Sequence, residues 1–178
     1  MKPKLQWFKQ LGMDDSQVAK TIAKFPQLMG SLSLEENLKP RVQWLNEFGM
    51  NDSQVAKTIA KFPQLMGSLS LEGTLKPRVQ WLKELGMDDS QVAKTITKHP
   101  QLMSYRLEEN VKPKAETLRQ YAFTDKQLAI VISSLPALLG LSSKRLAHRL
   151  SVLQASGVLK NHSSCGFMIL TDTKFAAA

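Results

Sequence analysis

Cysteine is nearly absent from this chain of 178 residues: Cys165 stands alone. That excludes an intramolecular disulfide framework and any zinc site needing two thiolates. No apolar run approaches the roughly 18 residues that would suggest a membrane span. Enzyme signatures are missing too: there is no G-x-x-x-x-G-K-[ST], G-x-G-x-x-G, H-E-x-x-H or C-x-x-C, so neither phosphate loop nor metal ligand set is in view. His99, His148 and His162 are scattered without ligand spacing, and the base nearest Cys165 is His162, three residues earlier. No catalytic residue, no metal and no cofactor are expected, and Cys165 reads as a small residue in a C-terminal cap. Acidic residues are also short, 15 against 24 Lys+Arg for a net charge of +9. Such a balance suits a polyanionic partner but says nothing about fold. With 43% hydrophobic and 22% charged residues, the chain has the composition of a folded protein.

Proline is where the pattern lies. The eight prolines stand at 3, 26, 40, 63, 77, 100, 113 and 136, with gaps alternating between 23 and 13 or 14. A period of 37, 37 and then 36 residues announces a repeat array. Trp7, Trp44 and Trp81 keep the same period, as do Gly12, Gly49 and Gly86. Residues 2–37 and 39–74 are identical at 27 of 36 positions, whereas the fourth copy has drifted within its proline frame. The units run over about 1–37, 38–74, 75–110 and 111–145. A partial fifth, 146–157, has His148 in the proline slot and Gly157 in the slot of Gly49. Residues 158–178 are expected to form a cap or tail.

Each copy reads as helical. Pro40 suits a first helical position, where its missing N–H is no loss. Val42, Leu45 and Phe48 share a face, and Gly49 is placed to end the helix. A second helix follows, with Asn51 and Gln54 at capping-box spacing and Met50 and Val55 as a hydrophobic staple. Asp14/Gln17 and Asp88/Gln91 repeat the device. Val55, Ile59 and Phe62 form the apolar stripe, and Pro63 stops the helix by pushing the residue before it out of the α region. Ser33 and Glu36 predict one more short turn before the next copy. With no alternating pattern of strands, the fold class is all-α, an α-solenoid of two helices plus a short third piece per unit. The Trp, Met and Phe rows then read as core. The carboxylate pairs Asp14/Asp15, Glu35/Glu36, Asp88/Asp89 and Glu108/Glu109 read as helix starts that complement the dipole.

Basic residues form two rows. In the second helices, Lys20/Lys24, Lys57/Lys61 and Lys94/Lys98 are spaced i, i+4 and project away from the apolar stripe. Neither member of a pair has an acidic partner four residues before it. A second row follows the prolines: Lys4, Arg41, Arg78, Lys114 and Arg149. Each of the first three copies nets only +1, while residues 111–178 net +6, with Lys112, Lys114, Arg119, Lys126, Lys144, Arg145 and Arg149 among them. In that region Ile130 and Ser134 take the places of the lysine pair. Such a cluster can neutralise phosphates with strong salt dependence.

The unit Leu-Lys-Pro-Arg-Val-Gln-Trp-Leu-Asn-Glu-Phe-Gly at 38–49, followed by Val55, Ile59 and Phe62-Pro63-Gln64-Leu65-Met66, resembles the repeat of the mitochondrial transcription termination factor (mTERF) family. The ending is similar as well: Arg145-Leu-Ala-His-Arg149, Leu153, Gly157-Val-Leu and Leu170-Thr-Asp-Thr-Lys-Phe175. The resemblance covers essentially the whole chain. It implies a curved superhelical array with a basic concave groove that binds double-stranded DNA or structured RNA. It also implies action in transcription termination, splicing or ribosome assembly inside mitochondria or chloroplasts. Basic positions common in the family map onto Arg41, Arg78, Arg145 and Arg149, and Lys114, Arg119 and Lys144 of the C-terminal basic cluster stand beside them. Lys57, Lys61, Lys94 and Lys98 join them as candidate nucleic-acid contacts of a monomer. His148 departs from the usual proline, so the last helix is expected to begin differently. Met1 opens inside a repeat and the chain stops soon after Phe175, so a piece of a longer protein is expected. The rival reading is a protein-interaction scaffold, which would show an apolar or acidic binding face instead of a basic one.

Overall fold

The computed structural model describes residues 2–155. Helix α1 (Lys2–Gln10) and α2 (Asp15–Lys24) belong to the first repeat, α3 (Lys39–Glu47) and α4 (Asp52–Lys61) to the second, and α5 (Lys76–Glu84) and α6 (Asp89–Lys98) to the third. Helices α7 (Lys112–Gln120) and α8 (Asp125–Ser134) form the fourth, and α9 (Ser143–Ala155) follows. No strand occurs among the described residues.

The local signals act as the chemistry requires. Val42, Leu45 and Phe48 are all buried, and Gly49 takes φ +77°, the left-handed conformation that lets α3 stop within one residue. The N–H of Gln54 donates to Asn51 Oδ1 at 2.9 Å, and the N–H of Asn51 donates to Gln54 Oε1 at 3.0 Å. The same reciprocal box closes at Asp14/Gln17 and Asp88/Gln91. A fourth box, Thr124/Gln127, closes in the drifted repeat. Each second helix ends on the residue before a proline, with Phe25, Phe62, His99 and Leu135 at φ between −146° and −136°. A short 3-10 turn follows each: Pro26–Leu28, Pro63–Met66, Pro100–Ser104 and Pro136–Gly140.

Pro40 stands in the first turn of α3, as expected, but the helical path starts further upstream, in a wide turn, Leu34–Leu38, that runs straight into it. There the N–H of Leu38 donates to the carbonyl of Ser33 at 3.2 Å, a bond spanning five residues instead of four. Inside an α-turn the proline ring would collide with the carbonyl four residues back, and the wider turn makes room for it. Leu71–Leu75 before Pro77 and Leu107–Val111 before Pro113 do the same. Ser33 begins the first of these turns as predicted, its hydroxyl accepting from the N–H of Glu36 at 3.3 Å. Helix α9 is the natural control. Its proline slot holds His148, and its first turn is ordinary, with the N–H of Leu146 donating to Ser142 four residues back. So the last helix does begin differently, and the cause is the missing proline ring.

The chain divides into two compact units. One comprises Met1–Lys83 with Asp88–Ser104, the other Glu84–Met87 with the chain from Tyr105 onward. In the first, the second helices stack in series, α2 on α4 and α4 on α6, and the turn Pro63–Met66 packs on Pro100–Ser104. Val55, Ile59, Val92 and Ile96 are fully buried at these contacts, and Trp44 and Trp81 join the core. One repeat has no second layer of its own, so neighbours cover its apolar stripe, which is the logic of an α-solenoid. In the second unit, α7 packs against α8 and α9, with Leu118, Leu128, Leu146 and Leu150 fully buried. Gly157, His162, Cys165 and the expected cap at 158–178 lie outside the described residues.

Candidate nucleic-acid interface

The row of cations that follows the prolines is turned inward. Arg41 is half-buried, and its NH1 donates to the carbonyl of Leu65 at 2.9 Å. Lys4 Nζ donates to the carbonyl of Met29 at 3.2 Å. Lys114 is 3% exposed and donates to the carbonyl of Leu139 at 2.6 Å and to the side-chain oxygen of Asn110. Those backbone acceptors lie in or just after the 3-10 turn of the same repeat, where carbonyls lack helical donors. Each cation therefore ties the first helix of a repeat to the turn that ends the second. Arg78 NH1 donates to the carbonyl of Thr74 at 2.7 Å, and Arg149 is only 6% exposed. Withdrawal from water lowers the pKa of Arg41, Arg78 and Lys114 from their ordinary values, because burial disfavours the charged form. A buried side chain holding carbonyls has little to offer a phosphate. The signal for this role was present in the sequence, since cation and turn keep a separation of 24 or 25 residues. It carries no charge pattern that would reveal it.

Several other cations already have carboxylate partners. Arg119 reaches Asp125 through NH2 at 2.6 Å and Glu116 through NH1 at 3.3 Å, and the Asp125 hydrogen bond holds its pKa above the usual value. Lys9–Asp15 at 2.6 Å and Lys83–Asp89 at 2.7 Å repeat the Arg119–Asp125 pairing in earlier repeats, each joining the end of a first helix to the start of a second. Before the prolines, Lys39, Lys76 and Lys112 pair with Glu35, Glu72 and Glu108 at 2.5–2.6 Å. The +6 of residues 111–178 is thus partly offset locally, because Glu108, just ahead of that stretch, pairs with Lys112. These exposed pairs contribute little stability, but they shrink the charge open to a ligand.

The second-helix lysines remain on the surface. Lys20, Lys24, Lys57, Lys61, Lys94 and Lys98 are all exposed, on the side of each helix away from the buried Val/Ile stripe. Lys20, Lys57 and Lys94 make no hydrogen bond or ion pair among the described residues. Because α2, α4 and α6 stack within one unit, these three ammonium groups occupy equivalent places on successive helices. In the other unit, Lys126, Lys144 and Arg145 are exposed, the last two in the first turn of α9. No group of three or more His, Cys, Asp or Glu is placed to hold a metal ion among the described residues. No helix there is long and apolar enough to cross a membrane.

The mTERF family model matches residues 1–166. The chain belongs to the mTERF family. No curated protein matches it. Membership agrees with the all-α repeat architecture, and it points to nucleic-acid binding in organellar gene expression, the business of a helical-repeat family that is not generally enzymatic. For an mTERF chain, the useful result of the geometry is a sorting of its cations. Arg41, Arg78, Lys114 and Arg149 face the fold, Arg119 faces carboxylates, and Lys57, Lys94, Lys144 and Arg145 face solvent.

Proposed function

We propose that this mTERF chain binds double-stranded DNA and regulates organellar transcription, for instance its termination. The observation that carries the reading is the row of exposed lysines, Lys20, Lys57 and Lys94, repeated at equivalent positions on three stacked helices without carboxylate partners. Ammonium groups in such a row neutralise successive phosphates and release their counterions, which makes affinity fall steeply with salt. Lys144 and Arg145 supply a further pair of contacts at the start of α9. Contacts of this kind position a protein on a duplex, and sequence is read by side chains that reach base edges.

A titration of labelled duplex DNA over a salt series tests the proposal. Three phosphate contacts give a log–log slope of roughly −3, and five give about −4 to −5. Replacing Lys144 and Arg145 with Ala should flatten that slope by about 2. Absence of binding at the lowest salt sinks the reading. Tighter binding to an RNA duplex of equal length would move the function to RNA.

A further inference from the structure

The two lysines of each pair sit one turn apart on the same helix, yet they do different things. Lys24 Nζ donates to the carbonyl of Ala60 at 3.2 Å, and Lys61 Nζ donates to the carbonyl of Thr97 at 2.9 Å. Donor and acceptor are 36 residues apart in both cases, so each bond runs from one second helix to the next. Ala60 and Thr97 lie in the last turns of α4 and α6, where carbonyls have no donor within the helix. The cap residues take other carbonyls there: Phe62 donates to Thr58 and His99 to Thr95. An ammonium group at that end also meets the negative pole of the helix dipole. Lys20, Lys57 and Lys94, one turn earlier, have no such partner among the described residues.

We infer that Lys24 and Lys61 are positioning residues for polyanion recognition. They stitch each second helix to its successor, and so hold Lys20, Lys57 and Lys94 in a row at the spacing of packed helices, about 8–10 Å. They do not bind the polyanion themselves. The ligand in this inference rests on the nucleic-acid reading above, while the stitch belongs to the fold. In a repeat protein, contacts between nearest neighbours set how firmly adjacent copies are held together. A row that is already in place loses less freedom on binding than one that must be assembled. A lysine that holds a carbonyl would also have to give it up before taking a phosphate.

The test uses the whole chain with Lys61→Met, Lys61→Arg and Lys57→Met. Each is titrated with labelled duplex DNA from 50 to 200 mM salt, and each is melted without DNA. Lys61→Met keeps the aliphatic stem and removes the donor. It is expected to lower the melting temperature by roughly 2–4 °C and to weaken binding several-fold, with the salt slope unchanged. Lys61→Arg, which can still donate to the carbonyl, restores both. Lys57→Met leaves the melting temperature alone and flattens the slope by about 0.9. The inference is overturned if Lys61→Met flattens the slope as Lys57→Met does, since Lys61 is then a phosphate ligand. It is equally overturned if Lys61→Met melts lower but binds with unchanged affinity, because its role is then structural alone. If the unaltered chain binds no duplex, the functional reading fails by itself. Melting of Lys61→Met then judges the stitch, which stands on a loss of 2–4 °C and falls on no change.

Discussion

The unit of near-identical repeats and the unit built on the fourth repeat solve the same problems with different residues. In the first, the slot after the proline holds Lys4, Arg41 and Arg78, which are half-buried, while its counterpart in the second, Lys114, is sealed at 3% exposure. In the first three repeats glycine occupies the left-handed position after each first helix, whereas in the fourth Ala122 takes it at φ +65°. In the first, lysine pairs face solvent along the stacked helices. In the second, Ile130 is 54% exposed in the same slot. Copying preserved the backbone frame while the side chains that exploit it diverged, so surface chemistry tracks the repeat and not the fold.

The sharpest way to break this comparison is at the post-proline cation. Lys114→Ala removes a buried donor and leaves the carbonyl of Leu139 and the side chain of Asn110 without it. It should cost about 1.5–3 kcal/mol, the range of hydrogen bonds to charged groups. Lys4→Ala, at a partly exposed site with a longer bond, should cost about 1 kcal/mol or less. Urea titration of both variants measures the gap. Equal losses would show that burial does not distinguish the two units.

The left-handed position comes next. A Cβ added at Gly49 meets no atom within 4 Å, so Gly49→Ala pays only for the backbone conformation, about 1–2 kcal/mol. Ala122 already bears that strain, and Ala122→Gly should gain about 0.5–1 kcal/mol after allowing for the greater freedom of glycine in the unfolded chain. Opposite signs at equivalent positions, read from thermal melts, would confirm that the fourth repeat carries a strain the first three avoid.

A third contrast concerns the residue before each closing proline, which is Phe25 and Phe62 in two repeats and His99 in the third. Burial, and then the charge of Lys61, lowers the pKa of His99 below its usual 6.5. The folded state therefore resists a proton that the unfolded chain accepts. Stability is fully present above pH 6.5 and declines as the pH falls below it toward the folded value. His99→Phe should remove that acid-side decline, measured as the difference in urea midpoint between pH 7.5 and pH 5.5.

Much of this was legible in the sequence, and the reasons are local. Capping boxes, proline stops and the glycine at the helix end act over three or four residues, so Asn51, Phe62 and Gly49 could be read directly. Ser33 marked the turn before Pro40, but its width could not be read from it, since only the clash of the proline ring with a carbonyl calls for the wider path. The candidate site was less legible. Lys114 and Lys57 are both bare cations in a string of letters, and what separates them is a carbonyl 25 residues away from one of them. Charge counting could find basic residues but not their acceptors.

The smallest expected effect concerns a hydroxyl on the second helices. Thr21, Thr58 and Thr95 occupy equivalent positions, and all three are buried. Thr58 Oγ1 donates to the carbonyl of Gln54 at 2.8 Å, and Thr95 Oγ1 donates to Gln91 at 2.7 Å. Thr21 Oγ1 is buried without a hydrogen-bond partner among the described residues. Valine has nearly the same shape and lacks the hydroxyl, so the substitution isolates that group. Thr58→Val breaks a hydrogen bond and should cost about 1 kcal/mol. Thr21→Val breaks none and spares a buried polar atom, so stability should hold or rise slightly. The comparison also separates position from context, because the helices Asp15–Lys24 and Asp52–Lys61 have the same sequence, DSQVAKTIAK. A loss of about 1 kcal/mol at both sites would show that identical helices form identical bonds wherever they stand in the array. A loss at Thr58 alone would mean that the neighbouring repeats decide which hydroxyl is satisfied.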